Sequence, residues 1–210
     1  MTDEPILDQP VTGFLDRLAS AAPTPGGGSV AALSGALAAG LLVMVCDLTL
    51  GNRRYAAVAD EMAHWRALAE QQRIALQELV QDDVAAFTGW AAAYRLPRGD
   101  ATRAAALQRA LQRSTEVPLA TIRAVAALLP ACAPLAGAGN RLAVSDVGAA
   151  LHLIVAAARS AALSVDINLA ALDDDAFRQA VRAETDALLR TVDDVAAAVL
   201  PLVAERIAAA

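Results

Sequence analysis

Residues 18 to 46 carry no charged side chain. A run of that length must be shielded from water by protein or by lipid. Its first part, "APTPGGGS", holds Pro23, Pro25 and three consecutive glycines, which cannot all be helical. The helical remainder, from about Ser29, is mostly Ala, Ser and Gly. Asp47 follows it, and no aromatic belt flanks it. The run therefore predicts a helix buried in a bundle, with no membrane partner. Gly28, Ala32, Ala36 and Gly40 recur every fourth residue and form a smooth ridge. Another helix can approach closely there, inside the subunit or across a dimer interface.

Apolar residues make up 57% of the 210 positions and aromatics 3%. Alanine, the strongest helix former, is abundant, and strand formers are thin. The expectation is an all-α, single-domain antiparallel bundle of about six helices spanning 1–210. The formal charge is −6, and no basic stripe with interleaved aromatics occurs, which argues against a nucleic-acid partner. All the basic residues are arginine, so a lysine base or Schiff base is excluded. Cys46 and Cys132 fit neither a disulfide framework nor a metal site and read as small hydrophobes. "MTDEPILDQP" lacks the basic and apolar regions of a leader, so the expected location is the cytoplasm.

The pattern predicts helices over about 10–21, 28–50, 55–95, 101–129, 146–169 and 174–207. Pro118 should kink the fourth, and Pro201 should kink or break the sixth. "PACAPLAGAGNRLAVSD" reads as a turn-rich connector, and "LDDDAF" supplies an aspartate cap.

Three places can carry chemistry. Consecutive glycine N–H groups at a helix start can hold an anion or the polar edge of a ring. No GK[ST] follows Gly26, Gly27 and Gly28, so this is not a P-loop. A tight turn alone is the competing reading. Asp83 lies seven residues after Leu76 and seven before Trp90, on the apolar stripe of its helix. A carboxylate there is costly unless paired or used, which suits a general acid or base; a structural ion pair is the alternative. Asp82 points about 100° away and reads as a surface charge. In "GNRLAVSD", Asn140 reads as turn chemistry and Ser145–Asp146 as helix capping. Asn168 would need partners if buried. Glu61 and His64 lack the second pair of a di-iron motif. Arg53, Arg54 and Arg98 at helix ends are caps or clamps for a carboxylate.

Together "FLDRLASAAPTPGGGSVAALSGALAAGL", "MVCDLTLGNRRY", "DDVAAFTGWAAAYRLPR", "EVPLA", "GNRLAVSDVGAA" and "INLAALDDDAF" resemble, in order and approximate spacing, the cyclodeaminase/cyclohydrolase family. That family includes methenyltetrahydrofolate cyclohydrolases and the cyclodeaminase domain of formiminotransferase-cyclodeaminase. The resemblance implies a homodimeric helical enzyme acting on a folate, with no cofactor and no metal. It implies Asp83 as the catalytic residue, since Asp83 is the aspartate of D-x-x-A-F, with Asp146 assisting. Pro25, Gly26, Gly27, Gly28, Ser29, Asn140, Ser145 and Asn168 match recurrent polar or loop positions. Arg54 or Arg98 would clamp the glutamate tail. Arg98 stands where the family commonly has lysine, and the segment after it looks shorter by about one helical turn. "FLDRLAS", "MVCDLT" and "DDVAAF" look closer to the cyclohydrolase branch.

Overall fold

A computed structural model describes residues 6–209. The first half of the N-terminal segment read for a leader lies outside them. The described residues form seven α-helices: α1 (Val11–Leu18), α2 (Gly27–Leu50), α3 (Ala59–Tyr94), α4 (Arg103–Ala126), α5 (Leu129–Ala138), α6 (Val144–Leu169) and α7 (Asp175–Ala208). Short 3-10 turns, Arg53–Val58 and Arg141–Ala143, precede α3 and α6. No strand occurs among the described residues, as the alanine-rich composition predicts.

The seventh helix, α5, falls in the stretch expected to be a connector. Pro130 sits in its first turn, where the missing N–H would be unpaired anyway. Pro134 lies one turn further on, and having no N–H it cannot make the helical bond to the Pro130 carbonyl. Helix α4 continues through Pro118 and α7 through Pro201, so α7 is not broken. Asp174 caps α7, its side chain accepting from Phe177 N at 3.0 Å.

α2, α3, α4 and α6 form the central bundle, with α3 and α6 each packed against both α2 and α4. α7 lies on α5 and α6. Part of the small-residue surface of α2 is used inside the subunit, against α3. Gly28 faces Asp83, Gly35 faces Leu76 and Gly40 faces Arg73, so the two helices run antiparallel. At Gly35 a Cβ would lie 2.6 Å from Val125 Cγ1 and 2.9 Å from Leu76 Cδ2, so only glycine admits α3 and α4 this close. Leu42, Leu76, Ile122, Leu151 and Ile154 fill the core. Each contributes about 1.5–3 kcal/mol by leaving water.

Three helical stretches are long and apolar enough to cross a membrane by length and composition: Gly27–Leu50, Arg103–Ala138 and Arg141–Leu169. Each has half or more of its most apolar window buried against the rest of the chain. Surface ion pairs tie neighbouring helices: Asp82 accepts from Arg113 at 2.8 Å between α3 and α4, and Arg123 grips Glu184 of α7 at 2.6 Å through both oxygens. Asp82 is thus partnered at the surface, and its neighbour Asp83 faces inward.

Candidate active site

At one end of the bundle the start of α2, the last turns of α3, the first half of α4 and the end of α6 surround a cavity of about 650 Å³. Gly26, Gly27 and Gly28 form one wall. Asp83 lies beside them, and Asn168 stands on the wall made by α6. Three features singled out by different arguments in the sequence, the glycine run, Asp83 and Asn168, therefore meet at one place.

The glycine turn and the carboxylate are fitted to each other. A Cβ at Gly28 would overlap the Asp83 carboxyl group, so glycine here makes room for a side chain from α3. Ser29 Oγ donates to Asp83 Oδ2 at 2.6 Å, a charge-assisted bond between residues 54 positions apart. Ser29 is fully buried, and Asp83 is half-buried with its other oxygen toward the glycine turn. Val30 N–H donates to Gly26 O, which closes the first turn of α2. The N–H groups of Gly27, Gly28 and Ser29 precede that bond and have no carbonyl four residues back within the helix. They give this corner a partial positive charge beside the carboxylate. Pro25 is buried behind the turn, after a cis Thr24–Pro25 peptide.

The opposite character comes from aromatic rings. Phe87, Trp90 and Tyr94 line the cavity from α3. Trp90 stacks on Tyr94, with ring centroids 5.3 Å apart and planes at 26°. Phe87 lies tilted at 5.8 Å from Trp90. Arg103 covers Tyr94, its guanidinium 5.4 Å from the ring centroid, and donates to the Tyr94 and Leu96 carbonyls. Sequence periodicity places Phe87, Trp90 and Tyr94 on the stripe of α3 as packing residues; here they face open space and form a binding wall. Gln108 of α4, also at the cavity, is engaged at both ends of its amide, donating to Ala171 O and accepting from Asp173 N. It holds the α6–α7 turn in place.

The remaining expected residues divide. Arg98 is exposed in the α3–α4 connection, at the cavity end of the bundle but outside the cavity lining. Arg54, Asn140, Ser145 and Asp146 stand at the other end. Ser145 and Asn168 are 23 residues apart on one helix, roughly 35 Å at about 1.5 Å per residue. Within one chain these four do not reach Asp83. Asn140 works as a joint there. Its N–H donates to Thr49 Oγ1 at 2.8 Å, its Nδ2 to Leu48 O at 3.0 Å, and its Oδ1 accepts from Leu142 N. Ser145 is not the cap expected of it: the 3-10 turn runs directly into α6 at Val144 with no side-chain cap, and Asp146 lies in the first turn. Arg54 is exposed in the 3-10 turn after α2. The two thiols lie elsewhere in the core. Burial pushes Cys46 up to about 11 and Cys132 up to about 12, so both are protonated and inert near neutrality.

Such a bundle, with a half-buried carboxylate between a helix N-terminus and a stacked aromatic wall, defines a helical protein built to take a flat, partly polar small molecule. Residues 10–187 match the family model of formiminotransferase-cyclodeaminase, and the chain belongs to that family. It is 41% identical to the methenyltetrahydrofolate cyclohydrolase of Methylorubrum extorquens, over 87% of this chain and 89% of that protein. It is 34% identical to the formimidoyltransferase-cyclodeaminase of Sus scrofa over 94% of this chain, spanning 37% of that longer protein. Among solved structures it is similar to formiminotetrahydrofolate cyclodeaminase from Thermotoga maritima, with a TM-score of 0.85 and 28% identity, covering 97% of this chain and 98% of that one.

Proposed function

We propose that this protein is a methenyltetrahydrofolate cyclohydrolase, converting 5,10-methenyltetrahydrofolate to 10-formyltetrahydrofolate. The observation that carries the reading is the Asp83 carboxylate, tied by Ser29 and placed against the α2 N-terminus in a cavity with an aromatic wall. The relative it matches over nearly full length bears that activity in its name.

The substrate is a cation whose amidinium carbon bridges N5 and N10. Water adds to that carbon as one of its protons passes to Asp83. The resulting carbinolamine breaks at the carbon–N5 bond. Asp83 returns its proton to N5, and the hydroxyl proton leaves to solvent as the formyl group forms on N10. Written this way, the step needs no metal ion and no redox cofactor. The stacked rings take the flat parts of the ligand, and the glycine amides take a carbonyl edge. Arg98, exposed in the α3–α4 connection at the cavity end of the bundle, would draw in the glutamate tail. The cytoplasm, with its reduced thiols, is the fitting compartment.

A second reading is favoured by the Thermotoga maritima structure, which is named a cyclodeaminase. In that reading the N10 amine of the ligand attacks the formimino carbon on N5 and ammonia leaves, in this same cavity. Offering each compound separately tests the choice. Loss of the methenyl absorbance supports hydrolysis; ammonia release with methenyl formation from the formimino compound supports deamination.

We propose further that the working form is a homodimer paired through α2. Its outward face carries Leu33, Leu37, Gly40, Leu41, Met44 and Leu48, with no charge among them, and Leu37 and Leu48 are about half exposed. The pattern is self-complementary. Read from either end about the Gly40–Leu41 bond, Leu33 matches Leu48, Leu37 matches Met44, and Leu41 meets Gly40. A two-fold axis there lays α2 antiparallel on its copy, with leucine over glycine. The same pairing carries the end bearing Arg54, Asn140, Ser145 and Asp146 of one subunit toward the glycine turn of the other. This gives those four residues a route to a cavity they cannot reach within their own chain.

A further inference from the structure

The inference concerns how the cavity chooses the edge of its ligand, and it rests on the folate reading. Pro118 lies in the middle of α4. It has no N–H, so the helical bond from position 118 to the carbonyl of Ser114 cannot form, and its ring crowds that same carbonyl. The Ser114 oxygen is not left bare. Asn168 Nδ2, from the last turn of α6, donates to it at 2.7 Å. Ser114 and Asn168 both line the cavity.

A carbonyl only accepts, so this bond fixes which end of the Asn168 amide faces α4. The NH2 end is turned to Ser114. The oxygen end, Oδ1, has no protein partner among the described residues, although Asn168 lines the cavity. We propose that Pro118 is a positioning residue for substrate selection: by withdrawing its own N–H it hands the Ser114 carbonyl to Asn168, which then presents a fixed acceptor to the ligand. That acceptor takes a ligand edge made of N–H groups. The glycine amides across the cavity take a carbonyl. An amino-lactam ring edge, such as that of a reduced pterin, carries both. A ring bearing acceptors alone on the edge facing Asn168 is refused, because two oxygens would then meet.

The test is a pair of measurements on the full-length protein. Pro118→Ala restores an N–H that competes for Ser114, so KM for 5,10-methenyltetrahydrofolate should rise about five- to tenfold with kcat within about twofold. In an Asn168→Ala background the same replacement should have no further effect, because Pro118 acts only through Asn168. Independently of substrate, the Asn168 side-chain amide should show slow proton exchange in the wild type by NMR, and solvent-like exchange in Pro118→Ala. Pro118→Ser serves if the alanine variant does not fold. Equal KM changes in both backgrounds, or an Asn168 amide unaltered by the replacement, would overturn the proposal. Absence of turnover by the wild type would instead count against the folate reading, and the amide measurement would still decide for or against the Pro118 device.

Discussion

Gly28 and Asp83 occupy each other's space: the hydrogen in place of a side chain on α2 is what lets the carboxylate of α3 reach the first turn of the helix. Gly28→Ala should therefore displace Asp83. The substitution is expected to cost about 1–3 kcal/mol of stability through overpacking and to lower kcat/KM at least tenfold. A melting curve and an activity assay on the same preparation check it. Full activity would mean that Asp83 has another working position.

Ser29 gives Asp83 its one side-chain hydrogen bond among the described residues. Ser29→Ala removes a donor to a charged group, worth about 1.5–3 kcal/mol. Activity should fall by roughly ten- to a hundredfold, with the larger share in kcat, because the carboxylate loses its fixed orientation. A change confined to KM would assign Ser29 to the substrate instead.

The α2 face predicts an association that can be broken without touching the cavity. Leu41→Glu should convert a dimer to a monomer in light scattering, with helicity retained. If Arg54 and Asp146 act across that interface, turnover should fall in step with dissociation. A wild-type monomer at working concentration would contradict the pairing.

Two shifts of ionisation give pH-dependent outcomes. The Arg123 hydrogen bond holds the Glu184 carboxyl below its usual range. A lowered folded value stabilises the protein above the unfolded value, and this contribution is lost as pH falls through the folded one. The pair is largely solvated, so Glu184→Gln should cost under about 1 kcal/mol and flatten only the acid limb of stability. The thiols behave oppositely. Their folded values are raised, to about 11 for Cys46 and about 12 for Cys132, so stability declines as pH rises above their ordinary range near 9. At pH 8 neither should react with a thiol reagent until the chain unfolds.

The bundle was legible because alanine-rich helices with few strand formers leave few alternatives. Asp83 was legible because heptad spacing from Leu76 to Trp90 puts a charge where apolar residues belong. Phe87, Trp90 and Tyr94 were not legible as a wall: periodicity says which residues share a face, and nothing about whether that face meets protein or space. Helix α5 was hidden by Pro130 and Pro134, which mark a break in general; Pro130 is tolerated in the first turn, and the helix runs on through Pro134. Ser145 and Asp146 could be matched to a family pattern, and the helix expected over 146–169 already sets them about 35 Å from Asn168; what the sequence did not show is that Asn168, and not they, shares the cavity with Asp83.

The central claim is that Asp83 carries the proton. Asp83→Asn keeps the shape and the Ser29 contact but cannot accept a proton. With 5,10-methenyltetrahydrofolate followed by its absorbance, kcat for Asp83→Asn should fall about a hundred- to ten-thousandfold while circular dichroism and melting stay near those of the wild type. Turnover within a few-fold of the wild type would contradict the account.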